Sequence, residues 1–134
     1  MLWTEDGSVR PLATPPADAW TLAFSPDGQT LSGGTWFRLY RWDLDDGTLT
    51  TIATEHHGII KSIQYIDNGN ELASISRQTD SAVYFLDAES GEVKRRFQRH
   101  DLCGGDIAVS PDGRFLATTS DDSSVRFWLL EDGE

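Results

Sequence analysis

Few residues in this chain are of types that do chemistry, and their spacing limits what they can do. His56, His57, His100 and Cys103 are metal-ligand and nucleophile types. Zinc centres hold such residues at characteristic paired spacings, and these four form no ligand pair of recognised strength, so no metal site is expected. Cys103 precedes Gly104-Gly105 and reads as a loop thiol with no activating neighbour, which argues against a Cys-His nucleophile. The carboxylate pairs Asp45-Asp46 and Asp121-Asp122 stand where turns are expected, and turn chemistry accounts for them. No glycine-rich phosphate cradle is visible, because each glycine belongs to a turn. No catalytic residue and no cofactor is therefore expected.

Charge narrows the partners. With 22 acids against 11 Lys and Arg, the net charge is −11, and four of the bases sit together at Lys94, Arg95, Arg96 and Arg99. Nucleic-acid affinity comes from basic contacts to phosphate, so DNA, RNA and anionic membranes are not expected partners; basic proteins or cations are easier to accommodate. No run approaches the ~20 apolar residues of a membrane span. No leader pattern is visible at the N-terminus. The one cysteine excludes an intrachain disulfide framework and fits a reducing compartment, so a cytoplasmic location is expected.

The elements that must position these residues repeat along the chain. Phe24-Ser25-Pro26-Asp27-Gly28 recurs as Val109-Ser110-Pro111-Asp112-Gly113 and, more loosely, as Tyr65-Ile66-Asp67-Asn68-Gly69, the three glycines lying 41 and 44 residues apart. Leu39-Tyr40-Arg41-Trp42-Asp43 matches Val83-Tyr84-Phe85-Leu86-Asp87 and Val125-Arg126-Phe127-Trp128-Leu129. Gly47, Gly91 and Gly133 each follow five residues after Trp42, Leu86 and Trp128. A period of about 40–45 residues is that of one four-stranded propeller blade. Trp20–Phe24 and Ser62–Tyr65 alternate as short strands do, and no window shows helical periodicity. Each unit reads as four strands joined by a Ser-Pro-Asp-Gly-type turn, a short turn and an acidic-Gly turn.

These landmarks, with the Trp42-Asp43 dipeptide and the run Leu116–Trp128, resemble the WD-repeat β-propeller family across nearly the whole chain. The resemblance implies an all-β chain of three four-stranded antiparallel blades, an incomplete ring by itself. Residues 1–16 would form an N-terminal half-blade, 17–58 the first blade, 59–101 the second, and 102–134 a third lacking its last strand. It also implies a structural hydrogen-bond network in each blade. His100, Thr118, Asp122 and Trp128 supply the full set in the third. The second offers His56 or His57, Ser74 and Asp80, with Leu86 where Trp is expected. The first keeps Ser32 and Trp42, with Trp36 at the Asp position.

The same resemblance places the turn holding Trp36 and Phe37 on the face where the family's partners often bind. A contact patch of Trp36, Phe37, Arg38, Arg77 and Gln78 is one reading; packing of Trp36 against the neighbouring blade is the other, and the favoured one. Lys94, Arg95, Arg96 and Arg99 fall on an outermost strand. Alternation divides them between two faces, so charge protection of the edge is favoured over docking of an acidic segment such as residues 131–134 of another copy.

The expected function is a non-catalytic protein-interaction scaffold. The alternatives are an enzyme or small-ligand binder using the channel of an assembled ring, and a structural segment of a longer propeller. The segment Ser8–Thr14 would complete, between molecules, the blade that ends at Trp128. Two copies would give six blades and three would give nine; the dimer is preferred, because propellers have 4–8 blades. The rival expectation is that the chain is an excerpt of a longer propeller.

Overall fold

The computed structural model describes residues 2–3, 9–10, 12–56, 58–77, 82–97 and 104–130. They form strands and one 3-10 turn, with no α-helix among them. A short hairpin pairs β1 (Leu2–Trp3) with β2 (Val9–Arg10). The first four-stranded sheet runs β3 (Thr21–Phe24), β4 (Thr30–Gly34), β5 (Arg38–Asp43), β6 (Leu49–Ala53). The second runs β7 (Ile60–Ile66), β8 (Glu71–Ser76), β9 (Val83–Asp87), β10 (Val93–Phe97). The third has three strands, β11 (Gly104–Val109), β12 (Phe115–Ser120) and β13 (Val125–Leu129). Every pairing is antiparallel between chain neighbours. Meanders of this kind are the blades of an incomplete propeller.

The turns explain why the chain reverses where it does. Ser25 Oγ donates to Asp27 Oδ1 (2.6 Å), which also accepts from Gln29 N (2.9 Å). Ser110 and Asp112 repeat the arrangement at 2.6 Å, with Arg114 N donating at 3.1 Å. Gly28 and Gly113 close these turns at φ 72° and 74°, a conformation that glycine adopts without steric cost. The second sheet lacks the Ser-Pro pair. Its β7–β8 connection is a 3-10 turn, Asp67–Gly69, in which Asp67 and Asn68 also hold positive φ.

Alternation within each strand sends one set of side chains to each face, and both faces of the second sheet are covered. Toward the first sheet, Ile63, Leu72 and Leu86 pack with Leu39 and Ile52. Toward the third, Ala73, Ile75, Phe85 and Phe97 pack with Ile107, Leu116 and Leu130. The inner strands approach closely: a Cβ on Gly34 would stand 2.7 Å from Ile60 Cγ2, and one on Gly104 would stand 2.5 Å from the Ser76 carbonyl oxygen. The free face of the first sheet is partly roofed by the segment after β2. Leu12 joins Leu31, Tyr40 and Trp42, Ala13 N donates to Gly47 O (3.2 Å), and Trp42 Nε1 donates to Ala13 O (2.8 Å).

Candidate functional site

The three connections between second and third strands lie at one end of the sheets. The first, Thr35–Phe37, is built on main-chain bonds. Thr35 N donates to Arg38 O (3.0 Å) and Ile60 N to Thr35 O (3.0 Å), while Phe37 N donates to Gly58 O (3.1 Å). Thr54 donates to Phe37 O from both its N–H (3.0 Å) and its hydroxyl (2.7 Å). Trp36 forms an isolated bridge with Ile59. The turn is thereby tied to the segment that enters the second sheet. Phe37 is held at φ 62°, unusual for a bulky residue. Its ring lies 5.7 Å from that of Trp36. Trp36 stays 40% exposed and Phe37 46% exposed, and Arg38 is exposed beside them. The Trp36 backbone is thus engaged with the neighbouring sheet while much of both rings faces solvent.

Arg77, on the equivalent connection of the second sheet, reaches Asp121 of the third in an exposed pair at 3.8 Å; such pairs contribute little stability. Asp122 holds the third connection, accepting from Ser124 N at 2.8 Å and from the Ser124 hydroxyl. The expected residues Gln78, Asp80, His57, Arg99, His100 and Cys103 lie outside the described residues.

Beneath this end, the buried polar groups differ from sheet to sheet. In the third, Trp128 Nε1 donates to Thr118 Oγ1 (3.3 Å). In the second, His56, 2% exposed, shares a 2.8 Å hydrogen bond with Ser74 Oγ and meets the Tyr84 ring edge-on at 4.6 Å. In the first, Ser32 shares a 2.6 Å hydrogen bond with Tyr65 of the second sheet, and the Trp42 indole is spent on Ala13. Ser32 and Trp42 therefore serve contacts outside their own sheet. The sequence carried no signal for either partner, since Tyr65 is 33 residues from Ser32 and Ala13 is 29 from Trp42.

The basic cluster is split. Lys94 pairs with Asp87 at 3.6 Å. Arg95 lies 4.4 Å over the Phe85 ring, pairs with Glu71 at 3.3 Å and donates to Leu130 O. Arg96 lies 5.4 Å from the Tyr84 ring centre.

Sequence reading missed a groove of about 650 Å³ at the opposite end, between the first and second sheets; its walls include Asp27, Arg41, Asp43, Tyr65, Asp87 and Lys94. Arg41 Nη1 spans it to Ala88 O and Glu89 O (both 3.3 Å). The Ser25 hydroxyl and the Gln29 N–H hold the Asp27 carboxyl below the usual range, and the Ser90 and Glu89 N–H groups do the same for Asp87. Burial raises the Tyr65 phenol. The acids here are already committed to their own turns. The available signal was the alignment of acidic turns in adjacent repeats. Among the described residues no group of three or more His, Cys, Asp or Glu is placed to hold a metal ion, and no helix is long and apolar enough to cross a membrane.

Comparison with known proteins agrees with this architecture. Residues 91–128 match the family described as WD domain, G-beta repeat. The chain is 31% identical over 128 residues to the WD repeat-containing protein SL1-17 of Schistosoma mansoni, covering 88% of this chain and 38% of that protein. It is 46% identical over 61 residues to the nuclear distribution protein PAC1 of Arthroderma benhamiae, covering 46% of this chain and 13% of the relative. It is 27% identical over 125 residues to the Poly(A)+ RNA export protein of Schizosaccharomyces pombe, covering 89% and 35%. The chain thus spans less than two-fifths of each of these relatives. Three repeated meanders, their turn chemistry and these similarities agree: the chain is similar to WD-repeat proteins over most of its length, and residues 91–128 match that family's repeat.

Proposed function

We propose that this chain is a non-catalytic protein-interaction scaffold whose contact patch is Trp36, Phe37 and Arg38, extended by Arg77 and Gln78. One observation carries the reading: Phe37 is half-exposed on a left-handed backbone fixed by three main-chain-directed hydrogen bonds. An aromatic pair on a rigid base loses little conformational freedom on binding, and such side chains are frequent interface anchors. The charge balance supports a protein partner over nucleic acid or a membrane, and the single cysteine supports a cytoplasmic location. WD-repeat relatives are in general scaffolds of this kind. Self-association into a closed ring, a dimer in preference to a trimer, belongs to the same proposal; the six blades of a dimer lie within the 4–8 of known propellers, and the nine of a trimer do not.

The test is affinity capture with the full chain beside a Trp36→Ala, Phe37→Gly double variant. Glycine is chosen at 37 because it accepts positive φ without strain. The expected result is loss of captured proteins by at least about tenfold with an unchanged melting curve. A variant that unfolds would assign Trp36 to packing, and undiminished capture would remove the patch from the binding surface.

A further inference from the structure

β6 and β10 are the outermost strands of their sheets, each paired on one side only among the described residues, and their edges differ. A bare strand edge invites pairing with another chain; charged side chains and bulges discourage it. β10 has both. Lys94, Arg95 and Arg96 occupy its centre, and its register shifts between Val93 and Arg95. β6, in the middle of the chain, reads Leu-Thr-Thr-Ile-Ala. It carries no charge and no proline, and it pairs with β5 in five unbroken steps. Thr50 and Thr51 are exposed along it.

The direction of the main-chain groups on that edge follows from its two ends. Asp43 N donates to Thr48 O (2.9 Å), and Thr54 N donates to Phe37 O (3.0 Å). Thr48 and Thr54 thus turn their main-chain groups toward β5. Successive residues of a strand send these groups to alternate sides, so Thr50 and Ile52 face β5 as well. Leu49, Thr51 and Ala53 present theirs outward. The Ala53 carbonyl is crowded, since a Cβ on Gly91 would stand 3.0 Å from it. The open run is therefore Leu49 to the Ala53 N–H.

We propose that this edge takes an extended segment of a partner protein as a fifth strand. Outward N–H and C=O groups on every second residue are matched by another extended backbone. The surroundings define its side chains. Beside neutral Thr50 and Thr51, β-branched residues pair favourably across strands. Exposed acids stand at both ends: Asp45 and Asp46 before Leu49, and Glu55 with Glu92 at the Ala53 end. Of the nearby bases, Arg41 is drawn to Ala88 O and Glu89 O, and Lys94 to Asp87; Arg38 lies one strand in, opposite Ala53. The fitting segment is a neutral β-branched run with Lys or Arg at both ends. A second copy's β6 fits poorly, because antiparallel pairing of two such strands sets Asp46 of one copy against Glu55 of the other.

The experiment uses the full chain and a labelled synthetic peptide of alternating Thr and Val between Lys-Arg ends, read by fluorescence anisotropy and amide exchange. The wild type should bind it. Exchange should slow at Leu49, Thr51 and Ala53, whose N–H groups face outward, and not at Thr50 and Ile52, which are already bonded. Thr51→Pro removes one outward donor without breaking a bond to β5 and should raise Kd at least about tenfold. The same peptide with N-methylated central amides should bind the wild type at least about tenfold more weakly, a comparison that needs no variant to fold. The Trp36→Ala, Phe37→Gly variant should bind the peptide as the wild type does, since this surface is separate from the aromatic patch. No binding up to about 1 mM peptide overturns the proposal, as does binding that slows none of the three amides or withstands N-methylation. Binding lost in the aromatic variant but kept in Thr51→Pro moves the peptide to the aromatic patch and overturns the edge. Protection of the three amides that rises with protein concentration in the absence of peptide assigns the edge to a second copy and overturns the partner.

Discussion

Asp27, Asp87 and Asp112 show how single residues hold this molecule in shape. Asp27 and Asp112 are exposed and Asp87 is half-buried, yet each accepts hydrogen bonds that favour its ionised form: first from Ser25 for Asp27, from the Ser90 and Glu89 N–H groups for Asp87, and from Ser110 for Asp112. A carboxyl whose folded pKa lies below its unfolded value contributes stability above the unfolded value, about 4 for Asp. That contribution disappears as pH falls through the lower folded value. The urea midpoint should therefore decline below about pH 4, and an Asp27→Asn, Asp112→Asn double variant should show a shallower decline. An identical acid limb in the variant would mean that these turns do not set it. Serine, aspartate and glycine at these spacings announced the two Ser-Pro-Asp-Gly turns in the sequence, because every partner lies within five residues.

At the scale of the strand and its neighbours, glycine plays two different parts that sequence does not separate. Gly28 is required by its backbone angle and has open space where a Cβ would be. Gly34 is required by closeness: a Cβ there would meet Ile60 Cγ2 at 2.7 Å and Thr21 Cγ2 at 2.9 Å, at the contact of the first two sheets. Gly34→Ala should cost about 1–3 kcal/mol, the range for forcing extra volume into a packed interior, read from chemical denaturation. An unchanged midpoint would show that the inner strands yield at that point. In the sequence the turn at Trp36 and Phe37 is marked by aromatics standing where small polar residues belong. The main-chain bonds that hold the turn could not be read, since Gly58 contributes only a carbonyl and any residue type has one.

The whole molecule is a stack in which the middle sheet is covered on both sides. Ile60, Ile75, Val83, Phe85 and Leu86 are fully buried, whereas β3 and β13 each present an open face. Stability in such arrays is a sum of unit and neighbour terms, and local opening follows it. In dilute solution the amides of β8 and β9 should exchange at least about tenfold more slowly than those of β3 and β13. Uniform protection would show instead that the three sheets open as one unit. Arg95 belongs to this scale as well: over Phe85, against Glu71 and onto the Leu130 carbonyl, it fastens the second sheet to the end of the third.

By itself the sequence determined that the chain is all-β, that it repeats every 40 to 45 residues, and where its best turns fall. Alternation and turn hydrogen bonds are local, and local chemistry is written in neighbouring letters. Burial is not local. Val83 and Phe85 carry the same pattern as Val125 and Phe127, and only the presence or absence of an adjoining sheet makes the first pair core and the second pair surface. For the same reason the partners of Ser32 and Trp42 came only from tertiary structure. A side chain's hydrogen bond goes to whatever group the packing of separate units brings near, and here that was Tyr65 for one and the Ala13 carbonyl for the other.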